Sequence, residues 1–215
     1  MIRTCSYNNN LPNLFNTYSI SGDMGRSANY NGKCFLSLAP KLSFWRIWKD
    51  NIGKIDEAEN TKYYIKEYWN EVLSKLDPEK VYKELDNSIL LCYEDSNEFC
   101  HRHIVADWFE LMLGVKVPEV IIKNGNLEEV ERPQYIKKYL EDTIRFNKNM
   151  RGFKSIRALY LFESGEKLEL KAQKLENKTG KNYDYYRQQA CFFRCEADMV
   201  EDEYKENKNI KKLVK

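Results

Sequence analysis

The alternation of apolar and polar positions changes period several times along this chain, and each change marks an element. Ile2–Tyr7 and Phe15–Ser21 read as two short β-strands joined by an Asn/Pro turn over Asn8–Asn13. Gly22–Lys33 (GDMGRSANYNGK) is polar and glycine-rich, so it reads as a long loop of the kind that is either functional or unstructured. Pro40 stands where a first helical turn tolerates it, ahead of KLSFWRIWKD. Ile65, Tyr68, Trp69, Val72, Leu73 and Leu76 then recur at i, i+3, i+4, i+7, i+8 and i+11, one apolar stripe of a helix. Asp77 and Pro78 supply the cap and first residue of a shorter helix running to Leu85. Ser88–Tyr93 is a continuous apolar run of strand length, which suits a parallel strand covered on both faces. Ile104, Val105, Trp108, Phe109 and Met112 share one side of a helix that stops at Gly114, and Val117–Lys123 is a further strand.

This order predicts an α/β fold: a small Rossmann-like parallel sheet flanked by helices, occupying residues 1–124. Residues 125–215 read as a helical C-terminal extension. Tyr135, Ile136, Tyr139, Leu140 and Ile144 mark its first helix, and Arg151–Lys178 a charged helix interrupted near Gly165. Thr179-Gly180-Lys181 forms a turn before a last helix over Asp184–Tyr204.

Composition narrows this picture. Hydrophobic residues make up 42% of 215 and charged residues 32%, with 15 Tyr, 10 Phe and 4 Trp supplying the bulk a core needs. A formal charge of +2 gives no global drive toward nucleic acid or membrane, so anion recognition has to come from local clusters. The Lys-rich end, Lys205 to Lys215, reads as a solvated tail. No segment approaches the run of about 20 apolar residues that spans a bilayer. The N-terminus lacks the apolar region of a secretory signal, and six cysteines without a regular framework suit reduced thiols, so the expected location is cytoplasmic.

Ligands of open parallel sheets bind beyond the carboxyl ends of the strands. That rule gathers Ser6-Tyr7, Ser21-Gly22-Asp23 and Tyr93-Glu94-Asp95 at one edge. Next to them a helix opens on Cys100, His101, Arg102 and His103. With Asn97 as its cap, Cys100 falls in a first turn whose N–H groups favour negative charge, either on an activated thiol or on a bound phosphate that Arg102 would grip. The same residues also fit structural parts: Cys100 as a small buried hydrophobe, Arg102 in an ion pair. Glu94 fits a general base or nucleophile, or equally a cap or a partner of Arg102. His103 lies four residues before Asp107, a spacing that lets a carboxylate orient the ring. Cys92, Cys100 and His103 are metal-ligand types, but Cys92 sits inside an apolar strand and the paired C-x₂-C knuckle of a zinc site is missing, so no metal is expected. No P-loop, GxSxG or GxGxxG pattern is present, so ordinary nucleotide-hydrolase and dehydrogenase readings get little support, and the sequence leaves the cofactor open.

Three segments together, ISGDMGRSANYNGKCFLSLAP, YWNEVLSKLDPEKVYKEL and ILLCYEDSNEFCHRHIVADW, resemble domain-of-unknown-function family 488 over roughly residues 1–122. Leu91-Cys92-Tyr93-Glu94 followed by Phe99-Cys100-His101-Arg102 is the most specific marker, and Leu38-Ala39-Pro40 supports it. The resemblance implies a small Rossmann-like fold with a site around these motifs and no settled activity. Related sequences carry a basic residue and a proline after the second strand; here Ser21 leads into Gly22-Asp23-Met24-Gly25, and Arg26 would have to substitute.

The expected ligand is therefore a phosphorylated small molecule, nucleotide or nucleic-acid component. Glu94 would be the base or nucleophile, with His101 or Cys100 assisting proton transfer. Arg102 would hold an anion, Arg26 and Tyr30 would close over it, and Tyr7, Ser21 and Asp23 would complete the binding edge. A binding protein without catalysis, or an assembly protein that forms a homo-oligomer through the helical extension, is the alternative.

Overall fold

The computed structural model describes residues 1–9 and 15–213, so the expected turn over Asn8–Asn13 lies outside the described residues beyond Asn9. The chain divides into two compact units, Met1–Phe146 and Asn147–Lys215. The first is the expected α/β fold. Its strands are β1 (Arg3–Ser6), β2 (Thr17–Ser19), β3 (Lys33–Cys34), β4 (Ile89–Cys92), β5 (Glu119–Lys123) and β6 (Asn126–Val130). Among the described residues these form one sheet in the order β3-β2-β4-β1-β5-β6. All neighbours are parallel except β5 and β6. The helices of this unit are α1 (Leu42–Asn51), α2 (Glu57–Glu71), α3 (Pro78–Glu84), α4 (His101–Leu113) and α5 (Tyr135–Asn147).

Strand β4 is buried at all four positions, as its unbroken apolar run requires. The pleat then sorts residues onto two faces. Cys5, Ile89, Leu91 and Val120 cluster on one, against Tyr7, Phe15, Tyr30 and Leu127. Their neighbours in sequence, Thr4, Leu90, Cys92 and Glu119, therefore face the other way, where Arg102 of α4 meets Glu119. The cap of α3 forms as expected, with Asp77 accepting from the backbone N–H groups of Glu79 and Lys80 and Pro78 opening the helix. Gly114 ends α4 in the left-handed region at φ 67°.

Several expectations need correction. Pro40 lies before Lys41, which caps α1, so it is outside the helix it was expected to open. The α2 stripe breaks at Val72 into a 3-10 turn, Leu73–Lys75. The end of the supposed loop, Lys33, joins the sheet edge beside β2 together with Cys34. The helical character expected from residue 125 starts later: β6 pairs back on β5, register Glu119↔Val130 to Lys123↔Asn126, and the first unit runs on to Phe146. The boundary expected after residue 124 cuts the hairpin turn itself. Asn124 (φ 50°) and Gly125 (φ 79°) both lie in the left-handed region, the Asn-Gly pairing that a two-residue hairpin demands.

The second unit is a helical hairpin of α6 (Ile156–Thr179) and α7 (Asp184–Leu213), joined through Gly180 at φ 68°. The buried Glu201 of α7 accepts from the backbone N–H groups of Lys154 and Ser155 at 2.8–3.0 Å and so closes the start of α6, together with the Ser155 hydroxyl on Ala158. Helix α6 runs without interruption through Gly165. Glycine is needed there because the hairpin closes on it: a Cβ would stand 2.8 Å from the Ala190 carbonyl oxygen. Helix propensity alone favours Gly165→Ala by about 1 kcal/mol. Close approach to a backbone atom reverses the sign, and the variant is expected to lose about 1–3 kcal/mol by overpacking. A lower urea midpoint for the variant, followed by circular dichroism, is the outcome that checks this.

Candidate functional site

Chain direction places the site. After β1 the chain passes to β2 on the far side of β4, and after β4 it passes to β5 on the far side of β1. Adjacent strands whose connections leave in opposite directions open a crevice at their carboxyl ends. A pocket of about 530 Å³ lies at this end of the sheet. Its floor is Cys92 and Glu94 from the end of β4, with Cys100 and His101 from the start of α4. Ser21, Asp23 and Ser27 border it on the loop after β2, and Trp45, Trp48, Tyr64 and Phe99 form an aromatic wall.

The floor is tightly connected. His101 is buried, and its Nε2 lies 2.9 Å from the Ile20 carbonyl oxygen. A carbonyl only accepts, so Nε2 carries a proton and Nδ1 faces the sulfurs, 3.5 Å from Cys92 Sγ and 4.0 Å from Cys100 Sγ. Cys92 Sγ also reaches Glu94 Oε2 at 3.4 Å. Burial opposes ionisation of Cys100, but a hydrogen bond from Cys92, the Arg102 charge and His101 outweigh it and hold this thiol well below its usual range. Burial and the charge on Cys100 push Cys92 the other way. Burial, then the charge on Cys100, raises Glu94 to about 7. For His101 burial opposes the charge, and contact with Cys100 more than compensates, so its pKa is raised.

The wall is built by two helices and the loop before α4. Trp48, Tyr64 and Phe99 meet with ring centroids 5.1–5.6 Å apart, at edge-on or tilted angles. Tyr68, anchored on the Leu38 carbonyl, sets its ring edge-on to His101. Among the described lining residues, Lys49 carries the one lysine or arginine charge, exposed beside the Trp45 ring.

Of the residues expected at the site, Glu94, Cys100, His101, Ser21 and Asp23 line this pocket together. Tyr7 stands behind them, its hydroxyl donating to Ser19 at 2.6 Å and lying 3.2 Å from Ser21 Oγ. Burial raises its phenol to about 12, so it remains protonated. Tyr30 does not close over a ligand. Its hydroxyl is held by the Thr17 and Lys33 carbonyls, and its ring packs on Tyr7. Arg26 is exposed on a 3-10 turn and is not among the lining residues.

Arg102 is the largest correction. It is fully buried and turned beneath the pocket, with Nε and Nη2 on the Glu119 carboxylate at 2.9–3.2 Å and Nη2 also on the Asp95 carbonyl. Nη1 is buried without a hydrogen-bond partner, and Arg102 is not among the residues that line the pocket, so it is not an anion clamp there. The helix start differs as well: Cys100, in an extended conformation, takes the cap position expected for Asn97. His103 does not use Asp107. Its Nε2 lies 3.4 Å from Glu119, while Asp107 pairs with Arg132. His101, and not His103, stands by the two cysteines, with donor atoms of Cys92, Cys100 and His101 all within 4.8 Å of one another.

Asp23 is a knot in its loop. Its carboxylate accepts from the Ser21, Ser27 and Tyr93 hydroxyls and from the backbone N–H groups of Gly25 and Ser27, at 2.5–3.2 Å. Gly25 (φ 78°) lets the loop pass over Tyr7, where a Cβ would stand 2.7 Å from its hydroxyl. The aromatic wall and Glu119 went unrecognised in the sequence. Glu119 had a usable signal, since a carboxylate inside an apolar strand needs a buried cation. No protein-family model, curated protein or solved structure matches the chain.

Two outcomes follow from this geometry. Arg102→Met leaves Glu119 buried without its cation and is expected to cost about 3–5 kcal/mol, read as a lower urea midpoint. Asp23 is opposed by burial, but its hydrogen bonds, the Tyr93 hydroxyl first, hold its carboxyl well below the usual range. A depressed carboxyl stabilises fully above the unfolded pKa of about 4, and that contribution disappears as pH falls toward the folded value. Stability should therefore decline below about pH 4 less steeply in Asp23→Asn than in the parent protein, as followed by acid titration of circular dichroism.

Proposed function

We propose that this protein binds a small molecule carrying a flat ring, of the nucleoside or nucleobase class, and acts on it by acid–base chemistry with Glu94 as the proton carrier. The supporting observation is that an aromatic wall and a floor of carboxylate, thiol and imidazole share one pocket of about 530 Å³. That volume suits a ligand of this size, and a ring stacked on Trp45 or Trp48 would be held over Glu94, Cys100 and His101. With Arg102 committed to Glu119, a phosphate on the ligand would have to sit at the mouth beside Lys49. The free state of all six cysteines suits a reducing, cytoplasmic setting. No helix among the described residues is long and apolar enough to cross a membrane.

A second reading concerns the hairpin. Tyr185, Phe192 and Met199 recur every seven residues on α7, each at least 62% exposed, a spacing that suits helix pairing between two copies of the chain. Phe192→Glu is expected to lower the mass measured by light scattering. A monomeric parent protein overturns this reading.

Tryptophan fluorescence titrated with a panel of nucleosides, nucleobases and nucleotides tests the main proposal. Stacking is worth about 1–3 kcal/mol per base, so Trp48→Ala should weaken binding of any ligand found by about tenfold or more. Mass spectrometry should then show turnover that Glu94→Gln abolishes. Binding without turnover would make this a binding protein, and the absence of any response across the panel would remove the ring-binding reading.

A further inference from the structure

We propose that Cys92, Cys100 and His101 form a binding site for a divalent transition metal of the zinc class at the floor of the pocket. The donor set is two sulfurs and one imidazole nitrogen, a soft combination that selects zinc over magnesium or calcium. A tetrahedral centre with Zn–S of about 2.3 Å and Zn–N of about 2.0–2.1 Å places its ligand atoms about 3.5–3.8 Å apart. Here Nδ1 of His101 lies 3.5 Å from Cys92 Sγ and 4.0 Å from Cys100 Sγ, and the two sulfurs are within 4.8 Å of each other, so side-chain rotations of about 1 Å at the sulfurs would close the set.

The imidazole is already arranged for this task. The Ile20 carbonyl takes the Nε2 proton, which leaves the Nδ1 lone pair of the neutral ring directed at the sulfurs. A backbone carbonyl in this position is how metal-ligating histidines are commonly oriented. Each ligand also sits on rigid backbone: Cys92 ends a fully buried strand, and His101 begins a helix. Cys100 and His101 are adjacent yet aim at one point because the backbone turns between them, from extended at Cys100 (φ −146°, ψ 144°) to helical at His101. Packing alone does not call for two thiols and an imidazole whose donor atoms all lie within 4.8 Å of one another. Two thiolates and a dication balance in charge.

Three protein ligands leave one position open, the pattern of catalytic rather than structural zinc. All three ligands line the pocket, so a water in that position would be available to a bound molecule. Glu94, 3.4 Å from Cys92, is placed to take one proton from it. The resulting hydroxide would form a bond to an electrophilic carbon of the ligand, the bond from that carbon to its leaving group would break, and the leaving group would depart with the proton from Glu94. This hydrolytic use rests on the ring-binding reading; metal binding itself does not.

The test uses the full chain. Protein purified without chelator should contain one zinc ion per chain by elemental mass spectrometry. Apoprotein titrated with Co²⁺ should develop thiolate-to-cobalt charge transfer and the intense visible bands of a tetrahedral site. Cys92→Ser, Cys100→Ser and His101→Ala should each lose these bands and most of the zinc, while Cys191→Ser, on α7, should keep both. The cobalt spectrum of the parent apoprotein needs no variant, so a misfolded mutant does not blunt the test. Cobalt added without charge-transfer bands, or a parent apoprotein that fails to compete with a micromolar zinc indicator, overturns the proposal. Zinc bound with no response to the ring panel would sink the function proposed above and leave the metal site standing.

Discussion

The buried pair between Arg102 and Glu119 is the interaction on which the rest of this architecture depends. It ties α4 to β5, while the Thr4 hydroxyl on Glu119 at 2.6 Å adds β1, and the Arg102 bond to the Asp95 carbonyl secures the loop that carries Glu94. Burying two charges is costly, and their attraction offsets it only with good geometry and filled hydrogen-bond sites. Glu119 meets that condition through Arg102 and Thr4, with His103 Nε2 3.4 Å away, while Nη1 of Arg102 is left without a hydrogen-bond partner. Burial opposes its ionisation, but contact with His103 and Arg102 keeps its carboxyl below the usual range, so the pair stays charged. A hydrophobic substitute could stabilise the fold comparably, but it would not place a fixed positive charge beneath Cys100.

That charge links scaffold to site. Arg102 helps hold the Cys100 thiol low, and the field of Cys100 in turn raises Glu94 and His101. The four groups at the pocket floor are thus linked electrostatically, each influencing the protonation of the others. Opposite them, Trp48, Tyr64 and Phe99 brace one another at their edges. A braced aromatic surface facing a polar floor would orient the planar ligand proposed above with little entropic loss, because neither side would have to be ordered on binding.

The loop after β2 shows how a polar, glycine-containing segment becomes ordered. Its sequence resembles a disordered loop, since it has few apolar groups to bury. Order comes instead from one carboxylate, Asp23, which gathers donors from Ser21, Gly25, Ser27 and Tyr93. Tyr93 belongs to the segment after β4, so this knot also joins two edges of the pocket. The residues expected to close over a ligand from this loop, Arg26 and Tyr30, are respectively in solvent and locked inward.

By itself the sequence determined the α/β architecture, the strand β4, the cap at Asp77, the stop at Gly114 and the sheet edge where the pocket opens. Each of these follows from periodicity, backbone chemistry or chain order, which act over a few residues. The Asn124-Gly125 hairpin was written in the same local language and was passed over. Only the tertiary structure decided which partner each charged or reactive side chain takes. Arg102 could have met an anion or Glu119, and His103 could have met Asp107 or Glu119; sequence spacing allowed all of these. The choice was made by the pleat, which turns Thr4, Cys92 and Glu119 to the face where α4 packs. Aromatic residues of α1 and α2 became a pocket wall for the same reason: burial in three dimensions, and not distance along the chain, sets which groups share one low-dielectric site.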